Sequence, residues 1–208
     1  MSGDLRNKAN SNERCLPEVI SGILRAREPK GMPGASAGYR HAGVLLPLLE
    51  EEGVCKVLLT QRTDHVEHHK GQISFPGGRV EDGDRTIEET ALRETHEEIG
   101  LSKEEIEILG RIDDALTVAS NYIIHPVVGW VTSMDGLAIN PAEVAKVITA
   151  PLSLFRRAGS EKRWCSVAYQ GATYETVAFE YGDHIIWGAT ARVMENLIDI
   201  VADNLCLP

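Results

Sequence analysis

No stretch of this 208-residue sequence approaches the ~18 consecutive apolar residues that a membrane-spanning helix needs, so a bilayer is excluded as a partner. The opening Met1-Ser2-Gly3-Asp4-Leu5-Arg6 lacks the apolar core of a secretion signal, and the closing Cys206-Leu207-Pro208 is neither a prenylation box nor a peroxisomal address. Cysteine is sparse: Cys15, Cys55, Cys165 and Cys206 stand far apart with no CxxC pair. That pattern excludes a disulfide-dense scaffold and a zinc ribbon, and makes a reducing cytoplasm the simplest setting. Positive charge is in deficit, with 21 Lys+Arg against 31 Asp+Glu and a net charge of −10. Most of the surface therefore repels a phosphate backbone, which argues against a nucleic-acid partner. An anionic small molecule remains open, provided a bound cation reverses the sign locally.

What is present suffices for one well-filled core: 43% of the residues are hydrophobic and 25% charged. Residues 1 to about 14 are polar, whereas Leu16, Val19, Ile20, Ile23 and Leu24 recur at helical spacing and predict a short helix ending near Arg27. Glu28 to Gly38 is rich in proline and glycine and reads as a linker. The expected organisation is a tail, short helix and linker over 1–38, then one domain over 39–208. Gly43–Leu49 and Val54–Thr60, separated by Glu50-Glu51-Glu52-Gly53, predict a hairpin. Ile106–Leu109, Ile123–Val131 and Thr173–Tyr181 read as further strands, and Asn140–Val147 and Ile186–Val201 as helices. Mixed strands with few helices give an α+β fold.

The chemistry concentrates in Phe75-Pro76-Gly77-Gly78-Arg79-Val80-Glu81-Asp82-Gly83-Asp84 and the helix that follows. Thr86 and Glu89 have capping-box spacing and Gly100 sits where a left-handed cap is wanted, so the helix spans about Thr86 to Ile99. Glu94, Glu97 and Glu98 are related as i, i+3 and i+4 and share one face, where they repel one another unless a cation is present. Ile87, Ala91 and Ile99 form a separate apolar stripe that anchors the helix. Gly77 and Gly78 let the preceding loop approach closely and offer backbone carbonyls. Such hard oxygen ligands suit Mg²⁺ or Mn²⁺ and metal-assisted hydrolysis of a diphosphate. Arg93 is placed to steady a neighbouring carboxylate through a bidentate pair. A Glu-rich helix face is ordinarily just solvated surface; the glycine turn, acidic loop and Arg-Glu-x-x-Glu-Glu-x-Gly at this distance set this one apart.

The segment resembles the Nudix box, G-x5-E-x7-R-E-U-x-E-E-x-G-U, with U a bulky aliphatic residue. Two positions depart from it: Asp84 stands for the first Glu with eight residues rather than seven before Arg93, and Thr95 replaces the aliphatic residue. The resemblance covers the chain from about Arg40 onward. It implies a Nudix α/β/α sandwich around a central mixed sheet and makes Glu94, Glu97 and Glu98, with the Gly78 carbonyl, ligands of Mg²⁺ or Mn²⁺. Glu94 and Glu143 are the candidates for the base that activates water; Glu143, after Asn140-Pro141 at a predicted helix start, is equally explained by the helix dipole.

Upstream, Leu58-Leu59-Thr60-Gln61-Arg62-Thr63, Gly71 and Phe75-Pro76-Gly77-Gly78 resemble the signature of the coenzyme A diphosphatase branch, L-L-T-x-R-S-x3-R-x3-G-x3-F-P-G-G, with every spacing kept. Glu67 stands where the second Arg belongs, exchanging a cation for an anion. Ser120–Gly129, Asn140–Val144 and Ile186–Thr190 also resemble segments of that branch. The implied reaction converts coenzyme A or acyl-coenzyme A to adenosine 3′,5′-bisphosphate and (acyl-)4′-phosphopantetheine. Arg62, with its planar fork, is the expected phosphate contact, alongside Gly77 and Gly78; the plainer reading of Arg62 is a structural ion pair. His65, His68 and His69 have no further His or Cys partners to complete a zinc site and read as loop histidines. Tyr122, Trp164 and Trp187 read as core aromatics rather than base-stacking residues. Two rivals stand beside this reading: a Nudix diphosphatase for ADP-ribose or another nucleotide, and a nucleotide-sensing module without turnover, which would have no need of all three carboxylates. The sequence is open to a homodimer.

Overall fold

The structure, a computed structural model, describes residues 16–32, 38–63, 71–117, 121–156, 164–169 and 171–201. Helix α1 (Pro17–Arg25) begins on a proline, whose fixed φ and missing N–H suit a first helical turn. Strands β1 (Arg40–Glu51) and β2 (Val54–Arg62) form the predicted hairpin. Glu52 and Gly53 close it with φ of 55° and 77°, the left-handed pair that matches the strand twist. Then come β3 (Ile73–Ser74), β4 (Gly77–Arg79), α2 (Ile87–Ile99), β5 (Ile106–Arg111), β6 (Ala115–Leu116), β7 (Tyr122–Val131), β8 (Val144–Pro151), β9 (Trp164–Tyr169), β10 (Ala172–Tyr181), β11 (His184–Trp187) and α3 (Gly188–Val201).

The main sheet runs β3-β2-β1-β7-β5, with β4 also on β1, β6 on β7 and β8 on β2. Its central pair, β1 with β7, is parallel and the other pairs are antiparallel. A second antiparallel sheet has the order β11-β10-β9. Strand β1 is apolar on both faces because both are covered. Leu46 and Leu48 join Ile20 and Leu24 of α1 and Leu197 and Val201 of α3, while Leu45 and Leu49 join Ala91 and Ile99 of α2. Helices on both sides of a mixed sheet make the expected α+β sandwich.

Two expectations need correction. Asn140–Val147 is not helical: Asn140–Glu143 is a turn, and Val144 begins β8, antiparallel to β2. Val144, Val147 and Ile148 mimic helical spacing, but their β-branched side chains suit a strand, and the exposed edge of β2 supplies its partner. The last helix starts at Gly188, not Ile186, because Ile186 and Trp187 pair with Phe179 and Ala178 of β10. Gly188, at φ 67°, turns the chain from strand into helix. No described helix is long and apolar enough to cross a membrane. Buried Cys55 is disulfide-bonded, which the scattered cysteines did not predict.

Candidate active site

Strand β4 lays the glycine turn along β1, pairing Gly78 with Gly43 and Gly77 with Val44. Close approach here depends on missing side chains. A Cβ on Gly77 would stand 2.5 Å from the Gly43 carbonyl oxygen, and one on Gly78 would stand 2.4 Å from the Glu94 carboxyl carbon. A Cβ on Gly43 would meet the Ile87 carbonyl oxygen at 2.8 Å, so α2 rests directly on the sheet.

Helix α2 is held at both ends. Thr86 Oγ1 accepts from the Glu89 amide at 3.2 Å, and Gly100 closes the C-terminus at φ 78°. The Glu89 carboxylate, however, accepts from the Arg85 amide at 2.8 Å, so the predicted reciprocal bond lands one residue earlier. Thr95, at the box position of an aliphatic residue, is fully buried with its hydroxyl donating to the Ala91 carbonyl at 2.6 Å, so its polar atom is satisfied within the helix.

Arg93 joins the loop to the carboxylates. Its Nε and Nη2 each donate to Asp84 at 3.0 Å, Nη2 donates to the Arg79 carbonyl at 3.0 Å, and Nη1 donates to Glu94 at 2.9 Å and Glu97 at 3.2 Å. Asp84 also accepts from Thr90 Oγ1 and from the Glu81 amide, each at 2.9 Å. These bonds, Arg93 foremost, hold the Asp84 carboxyl well below the usual carboxylate range. Asp84, which occupies the first acidic position of the box, therefore serves as a clasp for Arg93.

The three glutamates of the helix differ in setting. Glu97 is 53% exposed, Glu94 lies against Gly78 at 16%, and Glu98 is buried at 3%. Burial pushes the Glu98 carboxyl up to about 8, with Glu143 and Glu94 adding repulsion against the pull of Arg62 and of the Gly77 N–H. Burial also raises Glu94, assisted by Glu97 and Glu143 and opposed by Arg93. Arg62 Nη1 stands 3.5 Å from Glu98 Oε1, while Glu98 Oε2 is buried without a hydrogen-bond partner.

The turn before β8 brings Glu143 to this cluster. The Asn140 amide donates to the Glu98 carbonyl at 2.8 Å, and the Thr63 amide donates to the Glu143 carbonyl at 3.0 Å. Among the described residues the Glu143 side chain has no hydrogen-bond or ion-pair partner. Arg62, Gly77, Gly78, Arg93, Glu94, Glu97, Glu98 and Glu143 thus gather in one place. Glu67, His65, His68 and His69 lie outside the described residues, as does the side chain of Trp164.

Four glutamates against two arginines, with one buried carboxylate oxygen unsatisfied, form a donor set short of positive charge, and hard oxygen donors of this kind fit Mg²⁺ or Mn²⁺. No three His, Cys, Asp or Glu side chains among the described residues form a ready-made cage. Mg²⁺ characteristically takes only one or two carboxylates and completes its shell with water and phosphate, so an open donor set is the form it uses.

From Arg62 and Gly77 a cleft of about 980 Å³ extends between the main sheet and the second one, toward Tyr122, Tyr174, Trp187 and Arg192. Tyr122 and Trp187 are therefore cleft-lining and not core, contrary to expectation. Their aromatic character alone carried no such signal; Trp187 owes its place to the strand that ends at Gly188. A smaller hollow of about 430 Å³, lined by Asp113, Asp114 and Asn196, lies on the other side of Arg192 and away from the carboxylates.

A family model described as the NUDIX domain matches residues 39–168. A Photorhabdus laumondii protein named as an uncharacterized Nudix hydrolase, NudL, is 36% identical over 78% of this chain and 85% of its own length. A protein of the same name from Yersinia enterocolitica is 34% identical over 88% of this chain and 92% of its own length. Among solved structures, a MutT/nudix family protein from Enterococcus faecalis aligns with a TM-score of 0.53 at 15% identity, over 91% of this chain and 70% of the other, a likeness of fold. With the matched domain reaching from β1 into β9 and enclosing every carboxylate of the cluster, the chain belongs to the Nudix hydrolase family.

Proposed function

We propose that this Nudix hydrolase is a Mg²⁺- or Mn²⁺-dependent diphosphatase of nucleoside diphosphate derivatives. Its preferred substrate is coenzyme A or acyl-coenzyme A, giving adenosine 3′,5′-bisphosphate and (acyl-)4′-phosphopantetheine. The observation that carries the reading is the buried Glu98 carboxylate, with one orphaned oxygen, facing Arg62 at the head of the cleft. The segment that builds this head, Leu58 to Gly78, is also the one with the spacing of the coenzyme A diphosphatase signature.

Glu94, Glu97 and Glu98, with the Gly78 carbonyl, would hold the ion, which when bound supplies positive charge to phosphate oxygens and acidifies water. Arg62 lies where it can contact the diphosphate, and Gly77 and Gly78 let that group pass close to the backbone. Glu143 is the carboxylate for the proton of the attacking water, since Glu94 is engaged by Arg93. Water adds to one phosphorus, the bridging P–O bond breaks, and the leaving phosphate takes the electron pair. Arg93 is a positioning residue, because its donors are committed to Asp84, Arg79, Glu94 and Glu97.

ADP-ribose is the competing substrate, left open by the acidic Glu67 at a position where the signature has arginine. Mass identification of products after incubation with Mg²⁺ and each compound decides. Coenzyme A should release adenosine 3′,5′-bisphosphate, and chelation of the metal should abolish this. Cleavage of ADP-ribose with coenzyme A left intact would overturn the coenzyme A assignment.

A further inference from the structure

Among the described residues, the charged ones lining the cleft are Arg40, Arg62, Glu175 and Arg192, three cations and one anion in a protein of net charge −10. Two of the four are engaged: Arg62 faces Glu98, and Glu175 accepts a hydrogen bond from Ser166. Arg40 lies over the Tyr122 ring, 5.5 Å from its centroid. Arg192, near the start of α3, donates Nη2 to the Leu116 carbonyl at 2.6 Å. No carboxylate among the described residues pairs with either arginine. Across the smaller hollow, Asp113 is taken by Arg27 and the Lys30 amide, and Asp114 by Arg111 and His125. Burial pulls the Arg192 guanidinium below its ordinary value, against the electrostatic pull of Glu195 one turn along α3. A partly buried cation that rests on a neutral carbonyl is incompletely compensated, and an anion that enters the cleft compensates it. Tyr174 and Trp187 line the same cleft, ring centroids 5.5 Å apart, a surface on which a base can stack.

We propose that Arg192, seconded by Arg40, binds a phosphate carried on the ribose of the nucleotide, separate from the diphosphate at Arg62, with the base against Tyr174 and Trp187. The cleft then selects nucleotides with a ribose phosphate over those without one. This rests on the reading of the cleft as the substrate cleft of a Nudix diphosphatase.

The test is calorimetric binding of adenosine 3′,5′-bisphosphate and adenosine 5′-monophosphate to the full chain, to Arg192→Gln and to Arg192→Lys. The wild type should prefer the bisphosphate by roughly tenfold or more. Arg192→Gln should bring the preference to within about threefold, and Arg192→Lys should retain an intermediate value, as expected when a fork is replaced by a point charge. Equal affinities in the wild type, or an unchanged ratio in a folded Arg192→Gln, would overturn the proposal. Should Arg192→Gln fail to fold, Arg192→Lys and Arg40→Gln carry the same ratio test, with an undiminished ratio in both counting against it. Turnover separates this from the substrate assignment. A bisphosphate preference in a protein that leaves coenzyme A intact keeps the site and removes that substrate. Equal cleavage of coenzyme A and 3′-dephospho-coenzyme A, with no binding preference, does the reverse.

Discussion

At the scale of single residues, Arg93 and Asp84 show how loop and helix are clasped together around the carboxylate cluster. The arginine spans a loop carboxylate and two helix carboxylates, so Glu94 is fixed from one side by a hydrogen bond and from the other by the bare backbone of Gly78. Asp84→Asn removes the clasp and should lower stability at pH 7 by roughly 1.5–3 kcal/mol, the range for hydrogen bonds to charged groups. The folded carboxyl titrates below its ordinary 3.8, so its contribution is complete above that value and is lost as pH falls toward the folded value. Urea denaturation of wild type and variant between pH 7 and pH 2.5 should therefore show a gap that closes on the acid side. Gly78→Ala tests the other restraint. Its methyl would meet Glu94 oxygens at 2.4 and 2.5 Å, so kcat should fall at least about tenfold and Mg²⁺ half-saturation should rise while the fold is kept. A Gly78→Ala enzyme with wild-type kinetics would show that the Glu94 position is not required.

Among the elements, those read correctly in the sequence carry their own signal. The apolar runs of β1 and β2 around an acidic, glycine-bearing turn, the capped α2 and the apolar stripe of α1 need no distant partner to be recognised. Strand β8 does: it exists because residues 144–151 lie along residues 56–62, and its spacing of branched residues fits a helix equally well until that partner is known. The same distinction holds in the site. Glu94, Glu97 and Glu98 are legible because one helix carries all three, whereas the cations of the cleft come from β1, β2 and α3 and converge only in the folded chain. The correction at β8 also removes the helix-dipole explanation of Glu143, since no helix starts there. Glu143→Gln should cut kcat by about 10²–10⁴, the span of general-base contributions, with an unchanged melting temperature. A lower melting temperature with intact kcat would return Glu143 to a structural role. Thr86→Ala, which removes the cap of α2, should instead cost about 1 kcal/mol of stability.

The whole molecule is organised about the parallel pairing of β1 with β7, which aligns Arg40 with Tyr122 across 82 residues of chain. Every box residue from Gly77 to Glu98 lies within that span. The ends of so long a loop must meet before their contacts are rewarded, which places this topology among slow folders. The expectation is that the full carboxylate cluster forms only after the central pairing, because Arg62 and Glu143 reach it from β2 and from the turn before β8. Mg²⁺ should then leave the refolding rate unchanged and slow unfolding, because it binds an arrangement that the transition state does not yet contain. Stopped-flow refolding and unfolding with and without Mg²⁺ would reveal this as a shift confined to the unfolding limb; faster refolding with the ion would mean that the loop and helix of the box assemble first and nucleate the sheet around them.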